Sequence, residues 1–376
     1  MTKTSLRSTD EPRDSVLDRV RTARSALLAN PKFQTFCAAF WPTRWVTRSK
    51  AAEVFDLCAG FVYTQILLTC VRLNLLTALK DKSRTVAQIS SIAGLPDDGT
   101  RRLIDAAVAL KIMEPRSNSR YGLGPVGAAV LGNLGLQGMI AHHEHFYSDL
   151  ADPVGLLKAR SKSTALAKYW LYSPDTESSA TDRAAMATYS ELMAKTQSVI
   201  ADEVLRAYPF HRHQHVMDVG GGDGTFLQLA HEKSPELALS LFELPSVAEL
   251  AETRLRENGT PVQTFAGNMF EDDWPKGADL ITLIRVALDH DDDAVETLLA
   301  RARKTLDPGG VLLLAEPMAD SAKVGDAYFG LYLWAMGSGR ARSSSELRGM
   351  LERAGFSNVR VLSTGLPDIV RVISAT

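Results

Sequence analysis

The stretch Val216-Met217-Asp218-Val219-Gly220-Gly221-Gly222-Asp223-Gly224 reads as a strand that enters a glycine-rich turn and then a helix. Glycines at 220, 222 and 224 remove Cβ atoms, so a ligand can lie directly against the backbone. A dinucleotide fingerprint needs a third glycine after two intervening residues, but Thr225 stands there. The GxGxG form suits a ligand that has no pyrophosphate to seat on the helix N-terminus.

Two further features lie downstream. Glu243, in Phe242-Glu243-Leu244-Pro245, closes the next strand and is placed to accept hydrogen bonds from a pair of ribose hydroxyls. Gly267-Asn268-Met269-Phe270 follows the third strand. There Asn268 offers hydrogen bonds to an adenine edge, and Met269 and Phe270 offer apolar faces to its ring. Three such features at the carboxyl ends of consecutive strands mark the edge at which open α/β sheets bind ligands.

Around this motif, strands are expected at His215–Val219, Leu239–Glu243, Val262–Phe265, Asp279–Val286 and Val311–Glu316. They alternate with helices at Gly224–Glu232, Val247–Asn258 and Ala294–Leu306. The alternation predicts a parallel sheet covered on both sides. Helix Ser345–Ala354 and strands Val359–Leu362 and Asp368–Ser374 form a terminal hairpin unit. Upstream, residues 51–80 read as a buried helical stretch. Helices over Thr85–Ala93 and Asp97–Leu110, with a two-stranded wing over Ile112–Leu123, compose a winged helix-turn-helix. The second of those helices mixes Asp97, Asp98 and Asp105 with Arg101 and Arg102, so it has no one-sided basic face for a phosphate backbone. The unit reads as a structural and dimerisation module. Residues from His142 to Pro209 read as helical, with a polar break around Ser173–Thr181.

Composition narrows the classes. In 376 residues, 42 Lys+Arg against 44 Asp+Glu leave a net charge of −2, which argues against a nucleic-acid binder acting by bulk electrostatics. Cys37, Cys58 and Cys70 are scattered without metal-ligand or disulfide spacing, so no metal is expected and a reducing cytoplasm fits. The polar first thirty residues do not read as a signal peptide. The longest apolar candidate, Phe55–Leu79, is interrupted by Asp56, Gln65, Arg72 and Asn74, which predicts a soluble or peripheral protein. Residues 1–50 hold ten Lys/Arg against four Asp/Glu, with Phe33, Phe36, Phe40, Trp41 and Trp45 interleaved. They read either as a tail leading into a packed helix or as a basic, aromatic arm for an anionic membrane surface.

The DVGGGDG turn, FELP, GNMF, the segment Arg285–Asp293, LLLAEP and SSSELRGMLERAGF resemble the small-molecule O-methyltransferases of the caffeate/hydroxyindole type, over most of residues 50–376. FDLCAGFVYTQILLTCVRLNLL, MIAHHEHFYSDLADP and YSELMAKTQ are similar to the hydroxycarotenoid O-methyltransferases of purple phototrophs, with bacteriochlorophyllide C-20 methyltransferases as near relatives. The resemblance implies a Rossmann-like class I α/β methyltransferase domain (186–376) behind a helical winged-helix dimerisation domain (51–185) and a basic arm (1–50). It also implies S-adenosyl-L-methionine as cofactor, a homodimer, and an apolar substrate in the spheroidene branch of carotenoid synthesis. A ring C-methyltransferase and a winged-helix ligand-sensing regulator are the alternatives.

The implied cofactor contacts are Asp218, Gly220, Gly222, Glu243, Leu244, Asn268, Met269, Phe270 and Arg285. Relatives carry Asp where this chain has Asn268. The catalytic position departs further: relatives read R-V-L-H-D-W-D-D, whereas Arg285-Val286-Ala287-Leu288-Asp289-His290-Asp291-Asp292 puts Leu288 where the general-base His belongs. Glu316 and Glu346 stand for the two Glu residues that flank that base. A tertiary alcohol is weakly acidic, so late proton removal to His142, His143 or His290 is the expectation. An apolar tunnel is expected from Phe146, Trp170, Tyr328, Phe329, Tyr332, Trp334 and Met336.

Overall fold

The computed structural model describes residues 15–158, 163–170, 197–320 and 324–376. The expected break at Ser173–Thr181, nearly all of YSELMAKTQ and the Trp170 side chain lie outside the described residues. The chain divides into two compact units, residues 1–69 and 70–376, so the first boundary lies beyond the expected edge of the arm at residue 50.

The first unit holds helices Val16–Ala29 and Pro31–Ala39 and most of a third, Arg44–Arg72. On the single chain the first part of the stretch expected to be buried from residue 51 is exposed. Phe55 is 65% exposed, Leu57 83% and Phe61 73%, and burial sets in near Leu68 and Cys70. Arg44–Arg72 is also long and apolar enough to cross a membrane by length and composition. Asp56, Gln65 and Arg72 lie within this one continuous helix.

In the second unit, Thr85 caps helix Val86–Ala93 with a reciprocal capping box to Gln88, and Gly94 ends it in the left-handed region. Helix Asp97–Ala109 follows. Strands β1 (Arg84–Thr85), β2 (Met113–Arg116) and β3 (Arg120–Leu123) then pair antiparallel in the order β1-β3-β2. The winged helix-turn-helix is therefore present, with its wing within the expected Ile112–Leu123.

The large sheet comprises β4 (His215–Val219), β5 (Ala238–Glu243), β6 (Val262–Ala266), β7 (Leu280–Ile284), β8 (Val311–Glu316), β9 (Arg360–Leu362) and β10 (Arg371–Ala375), in the order β6-β5-β4-β7-β8-β10-β9. Strands β4 to β8 are parallel, but β10 runs antiparallel to both β8 and β9. The sheet is mixed, because the terminal hairpin inserts its last strand beside β8. Alternation sorts the side chains to two cores. Met217, Val219, Ile281, Leu283, Leu312 and Leu314 face one layer of helices, while Val216, Leu280, Ile284, Val311, Leu313 and Ala315 face the other. Strand order reverses between β4 and β7, which opens a crevice at the carboxyl end of β4.

Candidate functional site

A cavity of about 530 Å³ occupies that crevice. Its floor is the turn after β4. Gly220 and Gly222 have φ of +70° and +60°, a region that penalises any Cβ. A Cβ on Gly222 would meet nothing within 4 Å, so the cavity lies directly against bare backbone there. Gly221 is constrained from the opposite side, because a Cβ would fall 2.2 Å from Asp218 Oδ2.

Asp218 itself does not line the cavity. Fully buried under the turn, its Oδ1 accepts from Thr282 Oγ1 at 2.6 Å, and burial pushes its carboxyl up to about 7. The sequence reading had it as a cofactor contact. The structure places it as a support of the loop instead, since alternation along β4 turns residue 218 beneath the sheet edge.

Glu243 does line the cavity. Gly222 N–H donates to its Oε2 at 3.0 Å and Leu244 N–H to its Oε1 at 2.8 Å. Both oxygens are thus pinned, and each keeps a lone pair for a hydroxyl. Burial raises the Glu243 pKa against the pull of these two amides. Asn268 begins the loop after β6. Its Oδ1 accepts from Phe270 N–H at 3.0 Å and its own N–H donates to Asp272 at 2.7 Å, fixing a tight turn. This turn presents Met269 and Phe270 to the cavity. The Phe270 ring meets the His290 ring edge-on at 4.9 Å. Leu244 and Arg285 complete the expected set. Arg285 sits at φ +58°, a conformation that costs a non-glycine residue about 1 kcal/mol and clusters at functional sites.

Of the expected catalytic residues, His290 alone lines the cavity among the described residues. His142 and His143 stand behind it: each Nε2 lies 2.7 Å from a tyrosine hydroxyl, Tyr332 and Tyr328 respectively. Burial and the neighbouring His145 and His143 lower the His142 pKa to about 4, and burial lowers that of His143. Glu316, at the end of β8, is fully buried beside Arg342 and the Leu288 amide, and burial pushes it up to about 8. Glu346 is removed from the site. It completes a capping box with Ser343 and pairs with Arg340 at 2.9 Å on the surface. Its position in Ser343-Ser344-Ser345-Glu346 is that of a helix start, a role the sequence reading passed over.

Leu288 is buried in an apolar cluster with Phe146, Tyr332, Leu333 and Met336. Of the expected tunnel residues, Phe329, Tyr332 and Met336 reach the cavity wall. Phe146, Tyr328 and Trp334 pack against or within the cluster behind it. The sequence reading missed Asp289, which lines the cavity, and Arg342, which holds the loop above it. Arg342 donates to the Ala287 and His290 carbonyls at 2.8 and 2.7 Å and pairs with Asp292.

The chain matches the model of an O-methyltransferase domain over residues 147–357 and that of an O-methyltransferase dimerisation domain over residues 55–133. The demethylspheroidene O-methyltransferase of Rhodobacter capsulatus is 42% identical over 336 residues, covering 88% of this chain and 83% of the relative. That of Cereibacter sphaeroides is 36% identical over 354 residues, covering 93% of each. Human N-acetylserotonin methyltransferase, solved in complex with S-adenosylmethionine, superposes with a TM-score of 0.75 over 87% of this chain and 97% of its own at 21% identity. That likeness speaks for the fold.

Proposed function

The chain belongs to the O-methyltransferase family, and from that premise we propose that it methylates the tertiary hydroxyl of an acyclic hydroxycarotenoid of the demethylspheroidene type. The carrying observation is likeness to two such enzymes over most of both chains, joined to a cavity that is bare backbone at one end and aromatic and aliphatic at the other. Incubation with labelled S-adenosylmethionine and a panel of hydroxycarotenoids and chlorophyllides tests it.

The residues present fit S-adenosyl-L-methionine: an open glycine turn, a pinned carboxylate and an apolar loop. Gly220 and Gly222 would give the backbone bed, Glu243 would hold the ribose hydroxyls, and Asn268, Met269 and Phe270 would flank the adenine. When bound, the cofactor supplies a methyl group activated by a sulfonium charge. Tyr332, Leu333 and Met336 exclude water from the substrate end and hold the hydroxyl in line, which lowers the barrier by positioning.

The match to a dimerisation domain supports a homodimer. The exposed Phe55, Leu57 and Phe61 lie in the segment where that domain begins. The arm before it suits a membrane surface. Residues 15–50 carry Arg19, Arg21, Arg24, Lys32, Arg44, Arg48 and Lys50 against Asp18 alone. Trp41 is 85% exposed and Trp45 71%. Val16, Val20 and Leu27 recur at helical spacing on Val16–Ala29, in which no residue is buried. A basic, aromatic arm of this kind rests on anionic lipid, where an apolar carotenoid would also reside.

A further inference from the structure

We propose that Asp289 takes the hydroxyl proton during methyl transfer, beside the position that Leu288 leaves without an acid–base side chain. The inference rests on the methyl-transfer reading above and names a group within its site.

Leu288 and Asp289 are neighbours in a single 3-10 turn, Ala287–Asp289, that follows β7. Both residues reach the cavity wall, Leu288 with an apolar side chain that also packs into the cluster and Asp289 with a carboxyl. Of the other described titratable side chains on the wall, Asp223, Glu243 and Tyr332 are engaged. Asp223 pairs with Arg254 and accepts from Thr225, Glu243 takes two backbone amides, and Tyr332 meets His142. The His290 ring lies edge-on against Phe270. Asp289 lies within electrostatic reach of Arg285 and Glu316.

The turn is held on two sides. Arg342 takes the Ala287 carbonyl from within. Gly339, at φ +73°, presses from outside: a Cβ there would lie 2.0 Å from the Leu288 carbonyl oxygen and 2.8 Å from Asp289 Cα. A carboxylate on so fixed a turn keeps its place, as positional catalysis requires.

The chemistry fits an acceptor of moderate strength. Burial raises the Asp289 carboxyl to about 7, partly offset by Arg285. That brings an aspartate into the range of an unperturbed imidazole, roughly 6.5, where general bases work best near neutral pH. As the hydroxyl oxygen bonds to the methyl carbon, the carbon–sulfur electron pair stays on sulfur. The hydroxyl proton passes to an Asp289 oxygen, leaving a neutral acid that later returns the proton to water.

Single-turnover methyl transfer to a hydroxycarotenoid, measured from pH 5.5 to 9, tests this. The wild-type rate should rise through about pH 7 and level off. Asp289→Asn should lose at least roughly a hundredfold, the lower end for a general base, and its profile should flatten. Cofactor affinity by calorimetry should change by less than about threefold. Asp289→Glu, the variant to rely on should the Asn form misfold, should recover part of the rate together with a pH inflection. His290→Gln should cost less than Asp289→Asn. Independently of activity, infrared difference titration of wild type against Asp289→Asn should show a protonated carboxyl band that vanishes near pH 7. An Asp289→Asn rate within tenfold of wild type, a larger loss at His290, or no such band would overturn the assignment. A wild type that transfers methyl to no hydroxycarotenoid would sink the reaction reading and this assignment together, which sets that failure apart from the failure of Asp289 alone.

Discussion

Arg342, fully buried, donates from Nη2 to the His290 carbonyl oxygen at 2.7 Å, although the two residues stand 52 positions apart. The same guanidinium takes the Ala287 carbonyl and the Asp292 carboxylate, so one side chain spans the loop that shapes the far end of the cavity. Planar fork geometry is what makes this possible, and a lysine would not reproduce it. Arg342→Met should therefore lower stability by roughly 1–3 kcal/mol, the cost of leaving buried loop carbonyls without their donor, since the half-exposed Asp292 keeps Arg340, and Arg342→Lys should fall between. Equilibrium denaturation measures this, and a loss below about 1 kcal/mol for Arg342→Met would contradict it.

The glycine turn and Glu243 should govern cofactor affinity without governing the fold. Gly222→Val places a β-branched residue at φ +60° with its side chain in the cavity, so calorimetry should detect no binding to a protein whose circular dichroism is native. Glu243→Ala should weaken binding by roughly ten- to a hundredfold, the worth of about 1.5–3 kcal/mol in charge-assisted hydrogen bonds. Normal affinity in either variant would remove that residue from the site.

Glu316 should shape the pH dependence of stability. Its folded pKa is raised by burial to about 8 from an ordinary 4.5. The folded protein thus holds a proton that the unfolded chain releases, so this contribution is full below pH 4.5 and is lost as pH rises toward 8. Glu316→Gln cannot ionise and escapes that loss. The Tm of the variant minus that of wild type should grow between pH 5 and 8. A constant difference would show that Glu316 ionises normally.

The N-terminal arm should bind anionic lipid. Co-sedimentation with phosphatidylglycerol vesicles should exceed that with phosphatidylcholine vesicles and fall as salt rises, since screening weakens basic residues at a charged surface. Trp41→Ala with Trp45→Ala should reduce it. Equal recovery with both lipids, or binding unchanged by salt, would contradict it.

Much of the candidate site was legible in the sequence, because short strands that end at or just before Gly220, Glu243 and Asn268 carry both fold and chemistry. The rest depended on contacts between distant segments. Asp289 stands in an acidic run with Asp291, Asp292 and Asp293 that reads as a solvated helix start, and only the turn over Gly339 draws it inward. Arg342 lies in a polar stretch before a helix, where nothing local tells a buried clamp from a surface charge. Glu346 misled for the opposite reason: alignment to a family position outweighed its local capping signature. Residues 51–80 read as a buried helical stretch, whereas on a single chain the apolar residues of its first part, such as Phe55, Leu57 and Phe61, are exposed. The antiparallel β10 was hidden because a hairpin signal does not say beside which strand it will insert.

The central claim is methyl transfer to a carotenoid hydroxyl. Purified protein with methyl-labelled S-adenosylmethionine, offered demethylspheroidene-type hydroxycarotenoids and bacteriochlorophyllides in equal amounts, measures it directly. The account predicts label recovered as a methyl ether on the tertiary hydroxyl of the carotenoid, with chlorophyllides unlabelled. Label on a chlorin ring carbon, with the carotenoids untouched, would contradict it.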